Sequence, residues 1–168
     1  MESSIIHYAT KAHAQLAVDA VLHTIIPEEG RLHMLPHHHQ CHIVILVSEK
    51  ENGQEDSHPK WLDRTIGAAV LYEYSVGFSN EWLQDYDAIA RHEALGLWVA
   101  ESSEKEDLVT GLETHLRFPG RELYWGGADH NQLIVVCAGL QPVNSMISGM
   151  ISAIIIGLAN DAFTRAKN

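Results

Sequence analysis

Residues 122–163 read ELYWGGADHNQLIVVCAGLQPVNSMISGMISAIIIGLANDAF, and the order of signals inside this stretch decides the fold. Leu133, Ile134, Val135, Val136 and Cys137 form an unbroken apolar, β-branched run, the pattern of a strand covered on both faces. Gly126-Gly127, followed by Asp129, His130 and Asn131, signals a turn, so Leu123–Trp125 and Gln132–Ala138 are expected to pair as a hairpin. Gly139 closes the second strand, Pro142 suits a first helical turn, and Asn144 or Ser145 stands near the cap. Met146, Ile147, Met150, Ile151, Ile154, Ile155 and Leu158 then recur at helical spacing as one apolar face. Gly149, Ala153 and Gly157 lie four apart on its flank, where small residues permit close approach of a sheet or a second helix. Ser148 and Ser152 interrupt the apolar run, which falls short of the roughly 20 residues that span a bilayer.

Upstream, Ser3 or Ser4 is expected to cap a helix running to about Ile25, with Ile5, Ala9, Ala12, Leu16, Ala20 and Ile25 on its inner face. Arg31–Leu35 reads as a short strand and Cys41–Ser48 (CHIVILVS) as a central one. Glu49–Lys60 is acidic, contains Asn52-Gly53 and reads as a loop. Ile66–Ser75 is the next strand. Ser79 then caps an amphipathic helix to about Ala100, with Trp82, Tyr86, Ile89, Ala90, Ala94, Leu97 and Trp98 on one stripe. A further helix carries Leu108, Leu112 and Leu116 and starts at Ser102 or Ser103, where acidic residues meet the positive end of the dipole.

The chain has 168 residues, a length that fits one domain, and 46% of them are apolar, enough for a core. Its net charge of −11 argues against nucleic acid and anionic membrane, which need a basic partner surface. Cys41 and Cys137 both lie in apolar strands and read as reduced, buried thiols. Low cysteine use and the lack of a basic segment followed by a signal core point to a cytoplasmic protein. No Walker A, G-x-S-x-G, H-E-x-x-H or dinucleotide fingerprint occurs.

Three segments carry a family resemblance: IARHEALGLW (Ile89–Trp98), YWGGAD (Tyr124–Asp129) and LIVVCAGLQPVNSMISGMISA (Leu133–Ala153). With the element order, they make the chain resemble the GlcG/HbpS-like family of small α/β domains. Where that family commonly has Ser-Gly after the last strand, this chain has Ala138-Gly139, and where it often has aspartate near the final helix start, this chain has Asn144. The resemblance implies an α/β domain of α+β type. It implies a mostly antiparallel five- or six-stranded sheet, helices on both faces, and the N- and C-terminal helices together. It also implies homo-oligomers, and some relatives bind haem or iron.

Twelve histidines are the main chemical anomaly. Five of them, His33, His37, His38, His39 and His42, fall close together. Imidazole is a common transition-metal ligand, and in an extended segment His37 and His39 share a face. His37, His39 and His42 are therefore the candidate ligands for a divalent metal or haem, although a structural zinc site takes about four ligands; an exposed polar turn with adventitious metal affinity is the plainer explanation, and a pH-sensitive surface is a third. The loop Gly126, Gly127, Asp129 and His130, helped by Arg91 or His92, is the candidate small-ligand site, against the plain reading of a hairpin turn. The tryptophans and tyrosines fit a core or a flat apolar pocket. The expected function is a small-ligand or metal/haem-binding module. The alternatives are a small enzyme acting on an organic acid, with His92 or His130 as base, and a structural subunit that associates through its last helix or a sheet edge.

Overall fold

The computed structural model describes residues 6–25, 40–48, 59–62, 66–77, 84–102, 127–130, 132–140 and 143–168. Their elements are α1 (Lys11–Ile25), β1 (Cys41–Ser48), β2 (Ala68–Val76), α2 (Tyr86–Ser102), β3 (Gly127–His130), β4 (Leu133–Ala138) and α3 (Asn144–Lys167). The strands form one antiparallel sheet in the order β2-β1-β4-β3. The expected strands at Arg31–Leu35 and Leu123–Trp125 and the helix of Leu108–Leu116 lie outside the described residues, as does the acidic segment up to residue 58.

Both central strands are buried along their whole length. Cys41, Ile43, Ile45, Val47, Leu133, Val135 and Cys137 face α1 and α3, while Val44, Leu46, Ile134, Val136 and Ala138 face α2. Helices therefore cover both faces, with the first and last together on one of them, because strands apolar on both sides need a cover on each.

Three expectations are corrected. α1 starts at Lys11, where Thr10 Oγ1 accepts the His13 amide at 3.1 Å and His13 Nδ1 accepts the Thr10 amide at 3.3 Å, a reciprocal cap. Its inner face is Ala14, Ala17, Val18, Val21 and Leu22, and Leu16 is exposed; the buried set fills the full i, i+3, i+4, i+7, i+8 stripe, whereas Ala12, Leu16 and Ala20 make a single row. In the hairpin, Gly127–His130 is strand and not turn. His130 pairs with Leu133, so the chain reverses between them, with Gln132 at φ 68°.

In α3, Ile147, Ile151 and Ile155 are inside as expected, but Ser148 and Ser152 join them while Met146 and Met150 face out. Ser148 belongs inside because its hydroxyl accepts the Cys137 amide at 3.0 Å and donates to the Asn144 carbonyl at 2.8 Å. Val143 is the N-cap residue; Asn144 turns back instead, its Oδ1 accepting the Leu140 amide at 2.7 Å. α3 is long and apolar enough to cross a membrane by length and composition. Here its inner face completes the core under β4 and α1.

Candidate functional site

Polar side chains converge beside α2, which packs over β1 and β4 and reaches the edge strand β2 through Arg91. β2 pairs with β1 through Ser75↔His42 and Glu73↔Val44, so these residues share the α2 face. Their placement depends on a bulge. Ile45 opposes Tyr72 and Leu46 opposes Val70, leaving Leu71 extra, so that Leu71 and Tyr72 both turn to the α1 face and Glu73 and Ser75 to the other.

Glu73 is the hub. Its Oε1 accepts from His42 Nε2 at 2.7 Å and from Arg91 Nε at 2.8 Å, and its Oε2 accepts from Trp61 Nε1 at 3.2 Å. The Arg91 guanidinium lies 5.2 Å from the Trp61 ring centroid and also reaches Asp87 at 3.6 Å. On the far side of the imidazole, His42 Nδ1 meets Ser75 Oγ at 2.6 Å. Burial raises the Glu73 carboxyl's pKa, but the hydrogen bonds from His42 and Arg91 outweigh it and hold the group below its ordinary value. Glu73 is thus an anion, and the Arg91 charge is already answered by two carboxylates.

On the other face of the same strand, a cavity of about 400 Å³ opens between α1 and β2. Asp19, Leu22 and His23 line it from α1, and Tyr74 and Val76 from β2. Tyr74 is partly exposed and stacks on Tyr72, ring centroids 6.1 Å apart. Burial, then the Asp19 charge, then Tyr74 raise the Tyr72 hydroxyl above its ordinary pKa. The Asp19 and His23 side chains have no ion-pair or hydrogen-bond partner among the described residues. The volume falls in the usual range for small-molecule sites.

The residues expected to form one ligand site are separated. Arg91 sits over β2, at one edge of the described sheet, whereas Gly127 and Asp129 belong to β3, at the other. Gly127 packs under α2, where an added Cβ would make the end of the Leu97 side chain shift. His92 and Asp129 are exposed. Gly126, His37 and His39 lie outside the described residues, and of His130 the backbone is described. His42, expected as a metal ligand, has both ring nitrogens engaged, and among the described residues no group of three or more metal-ligating side chains occurs. Cys41 and Cys137 are free and buried; the Cys41 contact and burial push the Cys137 thiol well up, so it stays protonated.

The structure instead brings together Arg91 and His42, which the sequence assigned to different sites, through Glu73. Glu73, Ser75, Trp61, Asp19 and His23 were missed. The signal for Glu73 was a carboxylate inside an apolar strand, LYEYS, since a buried acid needs partners. Asp19 and His23 are four apart on a helix, a spacing that puts them on one face.

No protein-family model matches the chain, and neither the curated proteins nor the solved structures contain a match.

Proposed function

We propose that the protein is a small-ligand-binding module whose ligand sits between α1 and β2. The cavity carries this reading: about 400 Å³ lined by a carboxylate and an imidazole without ion-pair or hydrogen-bond partners among the described residues, an aromatic ring and two aliphatic side chains. That lining suits a small organic molecule with an apolar body and a cationic or hydrogen-bond-donating head, and the net charge of −11 favours a cation. The test is calorimetric titration with 2-phenylethylamine, 2-phenylethanol and phenylacetate. The amine is expected to bind with a Kd on the order of 1 mM. Because exposed ion pairs are weak, its advantage over the alcohol should be about threefold to fivefold and should vanish in Asp19→Asn. Equal binding of all three would keep the cavity and remove the cation; no binding by any would sink the reading.

A second inference concerns self-association. Met146 and Met150 are 50% and 38% exposed on the outer face of α3, and a side chain added at Gly149 or Gly157 would meet nothing within 4 Å. This apolar, small-residue face supports a homo-oligomer packed helix against helix. The resemblance to the GlcG/HbpS-like family supports a fifth or sixth strand, and low cysteine use supports a cytoplasmic location. The histidine spacing, together with haem- or iron-binding members of that family, supports a haem or divalent-metal role for His37, His39 and His42, which would require His42 to release Ser75 or Glu73.

A further inference from the structure

The Glu73 cluster has a direction. It begins at Arg91 and Trp61, passes through Glu73 and the imidazole of His42, which is 4% exposed, and ends on the exposed hydroxyl of Ser75. Glu73 is an acceptor, so the 2.7 Å contact requires a proton on His42 Nε2. Whenever the ring is neutral, Nδ1 carries the lone pair and Ser75 Oγ–H donates to it across the 2.6 Å contact. The cluster is anchored on β1, β2, α2 and the turn at Trp61, four separate parts of the chain, so the imidazole cannot rotate without breaking several bonds.

We propose that Ser75 is a nucleophile, with His42 as its general base, that takes an acyl group from small activated esters. A hydroxyl within hydrogen-bond reach of a base that a third group orients is the arrangement that activates serine. Ser75 Oγ attacks the carbonyl carbon while His42 Nδ1 takes its proton, and the imidazolium that forms lies 2.7 Å from the Glu73 carboxylate. The ester C–O bond then breaks, and the alcohol leaves with the proton from Nδ1. Water, deprotonated by His42 Nδ1, attacks the acyl carbon; the bond from that carbon to Ser75 Oγ breaks as Nδ1 returns its proton to Oγ, the carboxylic acid leaves, and the hydroxyl and the neutral ring are regenerated. Ser75 and His42 touch the reacting atoms. Glu73, Arg91 and Trp61 are positioning residues.

A fluorophosphonate probe tests this on the whole protein, since its phosphorus takes the place of the carbonyl carbon and fluoride leaves. Peptide mass mapping should place one label on Ser75, absent from Ser75→Ala. His42→Ala should label at least about tenfold more slowly, with added imidazole restoring part of the rate. Glu73→Asp should label faster than Glu73→Gln. No label on Ser75 of the folded wild-type protein, labelling spread over other serines, or a Ser75 rate unchanged by His42→Ala would each overturn the proposal. If His42→Ala does not fold, the wild-type and Ser75→Ala maps, together with the Glu73→Asp and Glu73→Gln rates, decide it.

Discussion

Glu73 shows how far one residue's environment can be read. Its carboxyl is held below the ordinary value of 4.5 by His42 and Arg91, against the opposing effect of burial. A depressed acid contributes stability that is fully present above its unfolded value and lost as pH falls through the folded one. The protein should therefore weaken as pH falls below about 4.5, and Glu73→Gln should flatten that dependence in urea titrations at pH 6 and pH 3.5. At pH 7 the same substitution should cost about 2 kcal/mol, the value of hydrogen bonds to a charged group. A wild-type stability equal at both pH values would contradict this account. Gly139 is a second such residue. Its φ is 114°, and a Cβ would collide with the Gln40 carbonyl, so Gly139→Ala should cost about 2 kcal/mol or more in the same titration. Gly139 was visible in the sequence as a strand end. Glu73 was not visible as a partner of His42, because simple alternation from Ala69 places it on the α1 face and the extra residue Leu71 reverses the phase.

At the scale of elements, legibility followed the contrast between faces. The stripe Ile89, Ala90, Ala94, Leu97 and Trp98 stands out against charged neighbours, and all five are buried in α2. α1 offers two overlapping apolar sets, and the one inside is the fuller stripe of Ala14, Ala17, Val18, Val21 and Leu22, not the single row through Leu16. α3 is apolar nearly all round, so its inner face is set by hydrogen bonds: Ser148 to the Cys137 amide, and Asn144 to the Leu140 amide. Its outer face yields two predictions. In the single chain, at concentrations too low for association, Gly157→Ala should raise stability by about 1 kcal/mol, since a methyl group there meets nothing and alanine is the better helix former. Gly157→Trp should leave the fold intact but dissociate the oligomer in sedimentation runs. A wild-type protein that is monomeric at every concentration would remove the self-association reading.

For the whole molecule, the two candidate sites lie on opposite faces of β2. Ser75 and Glu73 look toward α2, and Tyr74 and Val76 toward α1. The strands that carry this edge were legible as apolar runs, but the cavity was not, because it forms from residues more than fifty positions apart on a helix and a strand that are not neighbours in sequence. Its floor is the edge of the core and its wall the polar side of α1, so a ligand there would join two elements otherwise held by few contacts. The most direct measurement is a two-dimensional amide NMR titration of isotope-labelled protein with 2-phenylethylamine. Ligand binding between α1 and β2 predicts saturable shifts centred on Asp19, Leu22, His23, Tyr74 and Val76, lost in Val76→Trp. Shifts centred on Arg91 and Trp61, or no saturable shift at millimolar ligand, would contradict it.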